Sequence, residues 1–457
     1  MKRLPDELLD SLKTLPGFDQ ASFEGIHASG EQVTSIRLNP TKVISGFRDF
    51  EISGFTSVPW SSYGYYLNER PVFTLDPLLH AGCYYVQEAS SMFLEQALRQ
   101  TADLSKPLKI LDLCAAPGGK STLLQSLITA DSLLVCNEVI KSRVNVLQEN
   151  IIKWGATNVV VTHNDAKVFA GLENYFDVMI VDAPCSGSGL FRKDVAAIDE
   201  WSKENVFMCS LRQKRIVADA MPCLKKNGIL IYCTCSYSEE EDEKVLDWMM
   251  EEFAVDSLQL TVEKEWNIVE TQSAIHKGFG YRFYPNKLKG EGFFIACLRK
   301  GDGSENFNNY KRSGLERPSK NEELIVKDWL KPEAKITLMK HMDDIIGLPL
   351  SFEKDIPVLQ KQLYIRQAGV MIGKSGSNEL IPDHALALSL LLHEKIVSVS
   401  LNKETALQYL RKADVFIDVG RKGWALVKYE GYNLGWIKGL GNRINNYYPK
   451  EWRILMR

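Results

Sequence analysis

From Lys106 onward, short apolar runs alternate with segments of helical or turn character. This alternation restricts the chain to a largely parallel α/β sheet, because parallel neighbours need a crossover between them. The runs are Leu108–Leu113, Ser132–Cys136, Val159–Thr162, Val178–Val181, Gly228–Cys233 and Gly292–Leu298. Each reads as continuously apolar, as expected of strands covered on both faces. Between the second and third, Val144, Leu147, Ile151 and Ile152 form one face of a helix predicted over Lys141–Trp154, and Gly155 stands where it would end that helix.

The flanks have a different texture. Leu8, Leu9, Leu12 and Leu15 recur at helical spacing, and Pro16-Gly17 ends the run. A stretch rich in Trp, Tyr and Pro follows from Val58 to about Ala81. Residues 301–320 are polar and rich in Gly, Asn and Ser, which reads as a linker. The expected organisation is an N-terminal extension over 1–103, the α/β domain over 104–300, the linker over 301–320, and two small α+β units over 321–388 and 389–457.

Several classes are disfavoured. No run of ~18 apolar residues is present, so no membrane span is expected. The opening Met1-Lys2-Arg3-Leu4-Pro5-Asp6-Glu7 lacks the apolar core of a secretory signal, and cytoplasmic residence is the expectation. The nine cysteines are odd in number and contain no C-x-x-C pair, which argues against a disulfide framework and a structural zinc site; no metal is expected. The net charge of −3 hides an asymmetry, since residues 411–457 carry ten Lys/Arg against four Asp/Glu. A basic C-terminal piece fits a phosphate-facing module as well as it fits a solvated face.

The first run continues into Asp112-Leu113-Cys114-Ala115-Ala116-Pro117-Gly118-Gly119-Lys120-Ser121. Small residues between a strand and a helix let the backbone approach a ligand closely. The spacing is neither G-x-G-x-x-G nor a P-loop, since Cys114 occupies the place of the first P-loop glycine. Glu138 follows the second run at a distance that suits ribose hydroxyls, Asp165 follows the third, and Asp182 ends the fourth. One such acid is ordinarily a cap or turn residue. Three in register with a Gly-rich loop favour a nucleoside ligand, either adenosylmethionine or an adenine dinucleotide.

The fourth run leads into Asp182-Ala183-Pro184-Cys185-Ser186-Gly187-Ser188-Gly189 and the fifth into Cys233-Thr234-Cys235-Ser236. A cysteine after an apolar strand is ordinarily buried and inert. Two on the ligand-binding rim, each in a Pro- or Thr-flanked turn, point to thiol chemistry. Ser238 and Glu241 have capping-box spacing, so a helix is predicted to begin just beyond Cys235 with its dipole favouring a thiolate. The acidic run Glu239–Glu243 opposes that effect.

At these residues the chain resembles the Nol/Nop/Sun family of RNA cytosine methyltransferases, and within it the bacterial small-subunit (16S) ribosomal RNA methyltransferase F group. The resemblance covers nearly the whole chain. It includes Arg37-Leu38-Asn39-Pro40-Thr41, Tyr84–Met92, the Cys114–Lys120 loop, Asp182–Cys185 and Thr234-Cys235, while Gly435-Trp436 to Pro449 resembles a PUA-like RNA module. It implies a Rossmann-like mixed seven-stranded methyltransferase core with an N-terminal α+β extension and a C-terminal PUA-like α+β module. It implies S-adenosyl-L-methionine as cofactor, held by Cys114, Ala115, Ala116, Pro117, Gly118, Gly119, Lys120, Glu138, Asp165 and Asp182. Cys235 would be the nucleophile and Cys185 would assist product release. The implied partner is RNA, and a monomer is expected. Ser188, Val195, Cys233 and Asp242 stand where Glu, Pro, Ser and Asn are common in that group.

A thiolate suits this chemistry because carbon 5 of cytosine is too electron-poor to attack a methyl sulfonium unaided. Thiolate addition at carbon 6 makes carbon 5 nucleophilic, and elimination later restores the ring. Asp182 is placed to hold the edge of the extruded base. Gly278–Tyr284 with Lys287 and Lys289, and Trp436, Lys438, Arg443, Tyr447, Tyr448, Lys450 and Arg453, mix aromatic and basic residues as RNA contacts do, although the first segment fits a hairpin with core aromatics equally well. His163 and His276 read as structural. The alternatives are a transfer RNA cytosine methyltransferase and a non-catalytic RNA-binding assembly factor.

Overall fold

The computed structural model describes residues 2–43, 55–303, 316–376, 379–415, 417, 419–441 and 443–456. At its centre is a ten-stranded mixed sheet. Its strands are β1 (Lys109–Asp112), β2 (Leu133–Asn137), β3 (Val159–Thr162), β4 (Phe176–Asp182), β5 (Leu224–Thr234), β6 (Val255–Leu258), β7 (Val269–Gln272), β8 (Phe279–Phe283), β9 (Phe293–Lys300) and β10 (Ile365–Ala368). The order is β7-β8-β9-β5-β4-β1-β2-β3-β10, with β6 also pairing β9. Strands β1 to β5 are parallel to their neighbours among themselves, and β9 runs antiparallel to β5.

Each of the six apolar runs falls on a strand of this sheet. Strands β1, β2, β3, β4, β5, β6 and β9 form the expected seven-stranded mixed core. The hairpin of β7 and β8 and the strand β10 extend it to ten. Residues such as Leu111, Val135, Val160 and Met179 on one face and Ile110, Leu134, Val161 and Ile180 on the other are fully buried in two separate clusters, which is why the runs lack alternation. Helix α1 (Gly119–Leu127) follows β1, α2 (Lys141–Trp154) follows β2, α3 (Lys203–Ala220) precedes β5, and α4 (Glu243–Glu252) follows it. Helix α2 has the predicted bounds, and Gly155 ends it in the left-handed conformation with φ of 87°.

The N-terminal segment forms helices Asp6–Leu12 and Gln20–Ser29 and a small antiparallel sheet ending on Tyr84–Val86. Leu8, Leu9, Leu12 and Leu15 pack with Phe191, Tyr237 and Tyr284 of the α/β domain. Beyond it lie two four-stranded sheets, one spanning Ile336–His341 to Leu380–Pro382 and one spanning Ser398–Leu401 to Ile444–Asn446. Strand β10 leaves the first of these regions and adds antiparallel to β3, so the C-terminal half closes an edge of the central sheet. The last unit shares a core with the N-terminal sheet, where Tyr409, Ile437 and Tyr448 meet Ile36, Leu38 and Tyr84.

Of the two readings of Gly278–Tyr284, the hairpin with core aromatics is the one present: the segment contains strand β8, and Tyr281, Phe283 and Tyr284 are buried in the core. In the tail, Trp436 and Tyr448 are also core residues, and the Trp436 indole donates to the Asp383 carbonyl at 2.8 Å. Of the expected linker, 304–315 lies outside the described residues, and a helix with a complete Ser319/Glu322 capping box starts at Lys320.

Candidate active site

The C-terminal ends of β1, β2, β4 and β5 converge on one rim. After β1, the loop from Cys114 to Lys120 is held by its carbonyls: Arg143 donates to the Ala116 carbonyl at 2.7 Å and Asn150 to that of Pro117 at 2.8 Å, both from α2. Gly118 sits at φ +113°, where a side chain would be strained and its Cβ would lie 3.3 Å from Leu147. A Cβ on Gly119 would come within 3.2 Å of the Tyr85 ring. Glu138, at the end of β2, is nearly inaccessible; its carboxylate accepts from the Ile140 amide at 2.8 Å and pairs with Arg143 at 3.3 Å. Asp165 lies beyond β3, where it caps its own turn through the Lys167 amide and pairs loosely with Arg215 at 3.8 Å.

The N-terminal domain braces this loop from behind. Arg37 is fully buried and donates to the Gln87 side chain at 2.8 Å, the Thr122 hydroxyl at 2.6 Å and the Gly119 carbonyl at 3.2 Å. Asn39 donates to the last carbonyl of α2, that of Trp154, at 3.0 Å. The Arg37–Thr41 motif is thus a structural bridge between domains.

Lys120 crosses from the loop to β4 and bonds Asp182 at 2.8 Å. Burial works against its ammonium, but Asp182 and the nearby cysteine sulfurs together outweigh it and raise its pKa. The other Asp182 oxygen accepts from the Cys233 thiol at 3.6 Å. Cys233 itself is buried, and burial together with Asp182 pushes its pKa well up, so it is an inert neighbour of Cys235. Cys185 and Cys235 come together from the two turns, with their sulfurs 3.0 Å apart. The hydrogen bond to Cys235, with burial, raises the Cys185 pKa well above its ordinary value. Cys185 therefore keeps its proton at neutral pH.

Both turns close on one carboxylate. Glu241 accepts from the Ser186 amide at 2.8 Å, the Ser186 hydroxyl, the Ser236 hydroxyl at 2.6 Å and the Gln213 amide at 3.1 Å. This overturns the capping-box reading. Helix α4 starts only at Glu243, the Ser238 hydroxyl is buried without a partner among the described residues, and Glu241 faces the cysteine loops. Two acids of the run are paired with one cation: Arg282 bonds Glu243 at 2.7 Å, pairs with Asp242 at 3.2 Å and donates to the Tyr237 carbonyl at 2.8 Å. In the sequence Glu241 reads only as a helix-start residue and Arg282 only as part of an aromatic and basic segment, and Asp112 carries no predicted role. Asp112 ends β1 as Glu138 follows β2, so the reasoning applied to Glu138 would have found it; Glu241 was masked by its place in an acidic run.

The rim is the place where relatives bear on the reading. Residues 97–299 match the model of 16S rRNA methyltransferase RsmB/F, residues 4–89 the N-terminal domain of 16S rRNA methyltransferase RsmF, and residues 397–454 the methyltransferase RsmF PUA domain. The ribosomal RNA small subunit methyltransferase F of Aliivibrio fischeri is 31% identical, over 86% of this chain and 85% of its own. The chain belongs to the ribosomal RNA small subunit methyltransferase F family. Its Vibrio vulnificus member is 29% identical over 98% of this chain and 97% of its own. A methyltransferase homologue from Pyrococcus horikoshii superposes with a TM-score of 0.52 at 27% identity, covering 65% of this chain and all of its own. NSun6 from the same organism, solved with SFG, shares the fold at a TM-score of 0.55 and 20% identity over 65% of this chain and 99% of its own. The methyltransferase F family is of the S-adenosylmethionine-dependent type, and adenosylmethionine is the cofactor. Among the described residues no helix is long and apolar enough to cross a membrane.

Proposed function

We propose that this protein methylates carbon 5 of a cytosine in small-subunit ribosomal RNA through a covalent adduct with Cys235. The observation that carries the reading is the 3.0 Å approach of the Cys185 and Cys235 sulfurs beside Asp182. The Cys114–Lys120 loop, Asp112, Glu138, Asp165 and Asp182 hold adenosylmethionine in this reading. Asp112 Oδ1 is buried with no hydrogen-bond partner among the described residues, which fits a donor group of that cofactor. When bound, adenosylmethionine supplies an electrophilic methyl group.

Cys235 adds to carbon 6 of the extruded base and makes carbon 5 nucleophilic. Asp182, held by Lys120, faces the polar edge of the ring and stabilises its protonated nitrogen. Cys185 rests protonated, which suits a late-acting group better than the attacking thiolate; after methyl transfer it gives that proton to solvent, its thiolate takes the proton from carbon 5, and the Cys235 sulfur leaves carbon 6 as a thiolate. The basic, aromatic-bearing tail contributes RNA affinity through residues that remain exposed, among them Arg443, Tyr447 and Lys450.

Small-subunit RNA carrying 5-fluorocytosine at the methylated position tests the assignment. Cys235→Ala is expected to lose both methylation and the covalent adduct. Cys185→Ala is expected to accumulate a covalent protein–RNA species with unmodified RNA. An adduct that survives Cys235→Ala and disappears in Cys185→Ala reverses the two roles.

A further inference from the structure

Helix α3 is two-faced in an unusual way. Val206, Cys209, Ser210, Gln213, Ile216 and Val217 point inward. The opposite face, which on an ordinary surface helix is charged, carries Phe207 at 57% exposure, Met208 at 57% and Leu211 at 44%, followed by exposed Arg212 and Arg215. Large apolar side chains gathered on one exposed face mark an interaction surface, unlike the same residues scattered singly.

The position of this face says what it meets. Helix α3 begins after the loop that leaves the rim at Asp182, and Gln213, in its middle, still reaches the Pro184 carbonyl at 3.2 Å and Glu241 at 3.1 Å. The turns before Gln213 therefore stand beyond the edge of the sheet, beside the two cysteine loops. At the other end of the face, Arg215 reaches Asp165 at 3.8 Å. The N-terminal turns of α3 thus flank the cysteine loops, and the far end of its exposed face meets Asp165, so the apolar and basic row stands beside the rim.

We propose that this face of α3 is a shelf for the nucleotides flanking the target base, with unstacked bases on Phe207, Met208 and Leu211 and phosphates at Arg212 and Arg215. The assignment rests on RNA being the substrate. Extruding a base leaves its neighbours unstacked, and an aromatic and aliphatic surface beside the opening offsets that cost. Two arginines on the same face supply the charge complementarity that a protein-binding apolar patch does not need.

The test uses the full chain and a fluorescein-labelled single-stranded RNA oligonucleotide read by anisotropy. The combined variant Phe207→Ala, Met208→Ala, Leu211→Ala is expected to weaken RNA binding about tenfold, the loss of roughly one stacked base, with thermal stability and adenosylmethionine affinity unchanged. Arg212→Ala, which removes no apolar surface, is expected to lower the slope of log affinity against log salt by about one. Oligonucleotide affinity and salt slope equal to the parent overturn the proposal; if methylation of assembled small subunits then falls, the face docks a protein instead. Cys235→Ala in the same assay separates the two readings, because it removes chemistry without touching the shelf.

Discussion

Ser186 donates both its amide and its hydroxyl to the single carboxylate of Glu241. The same carboxylate takes the Ser236 hydroxyl, so the residues that directly follow Cys185 and Cys235 are tied to one point. The two turns leave neighbouring strands, β4 and β5, which pair as far as Asp182 and Cys233, and the Gly189 amide donates to the Cys235 carbonyl at 2.8 Å. Glu241 adds a side-chain tie between the residues that follow the two thiols. It is a positioning residue: it bonds the neighbours of the thiols and not the thiols themselves.

Glu241→Gln follows from this. The amide group keeps one acceptor but presents a donor where the Ser186 amide or the Ser236 hydroxyl must be accepted. Methyl transfer should fall by about a hundredfold, the cost expected of an ångström-scale misplacement of a reacting group. Adenosylmethionine affinity should be retained. A second readout separates position from mere stability: the negative charge of Glu241 contributes to keeping Cys185 protonated, so alkylation of Cys185 in a Cys235→Ala background should set in at lower pH once that charge is gone. An alkylation profile that does not move removes Glu241 from this role.

The sheet was legible because burial on both faces leaves an unmistakable mark, and α2 was legible to the residue because its apolar stripe and Gly155 agree. The loop and the two cysteine turns were legible for the same topological reason, since strand ends of a parallel sheet share one rim. What escaped was set by contacts between distant parts of the chain. The hairpin ending in β8 looks like an RNA-contacting mixture of aromatic and basic residues until Arg282 is seen to be consumed by Glu243 and Asp242. Strand β10 lies 203 residues after β3 in sequence, at Ile365 against Thr162, and local pattern says nothing of such a pairing. Glu241 satisfied a local rule for a helix start, and tertiary hydrogen bonds overrode it.

Arg282 is a buried cation close to the end of the fifth strand. Its side chain is 2% exposed and balances two carboxylates that are themselves nearly inaccessible. Arg282→Met removes the cation and leaves Glu243 and Asp242 unpaired. Loss of one partner of a buried pair costs about 3–5 kcal/mol, and denaturant unfolding should show it. Asp242 also accepts from the Thr234 hydroxyl at 2.6 Å, one residue before Cys235, so residual folded protein should have reduced activity. The reverse replacement of all three groups by apolar residues should recover stability without recovering activity.

Asp112 makes stability depend on pH in a direction opposite to ordinary carboxylates. Burial raises its pKa from 3.8 to about 7 in the folded chain, although the Ser121 hydroxyl at 2.6 Å works the other way. Between these values the folded state holds the proton that the unfolded chain has released. Its contribution is therefore full below pH ~4 and is lost as pH rises to about 7, a difference of up to about 4 kcal/mol. Asp112→Asn abolishes the titration. The melting temperature of the variant relative to the parent, without cofactor, should rise from pH 5 to pH 8; a constant difference across that range contradicts the assignment.

Arg37 links the N-terminal domain to cofactor binding. Among the described residues it forms no ion pair with a carboxylate, and burial lowers its pKa to about 9, which still leaves it charged at neutral pH. The charge is balanced instead by oxygens of Gln87, Thr122 and Gly119, the last at the point where the loop becomes α1. Arg37→Met keeps most of the volume and strands these acceptors, each at about 1–3 kcal/mol. The loop should then relax, so adenosylmethionine should bind more weakly and stabilise the variant less than the parent in a thermal shift. Equal cofactor-induced shifts in variant and parent would show that Arg37 holds the domains together without reaching the loop.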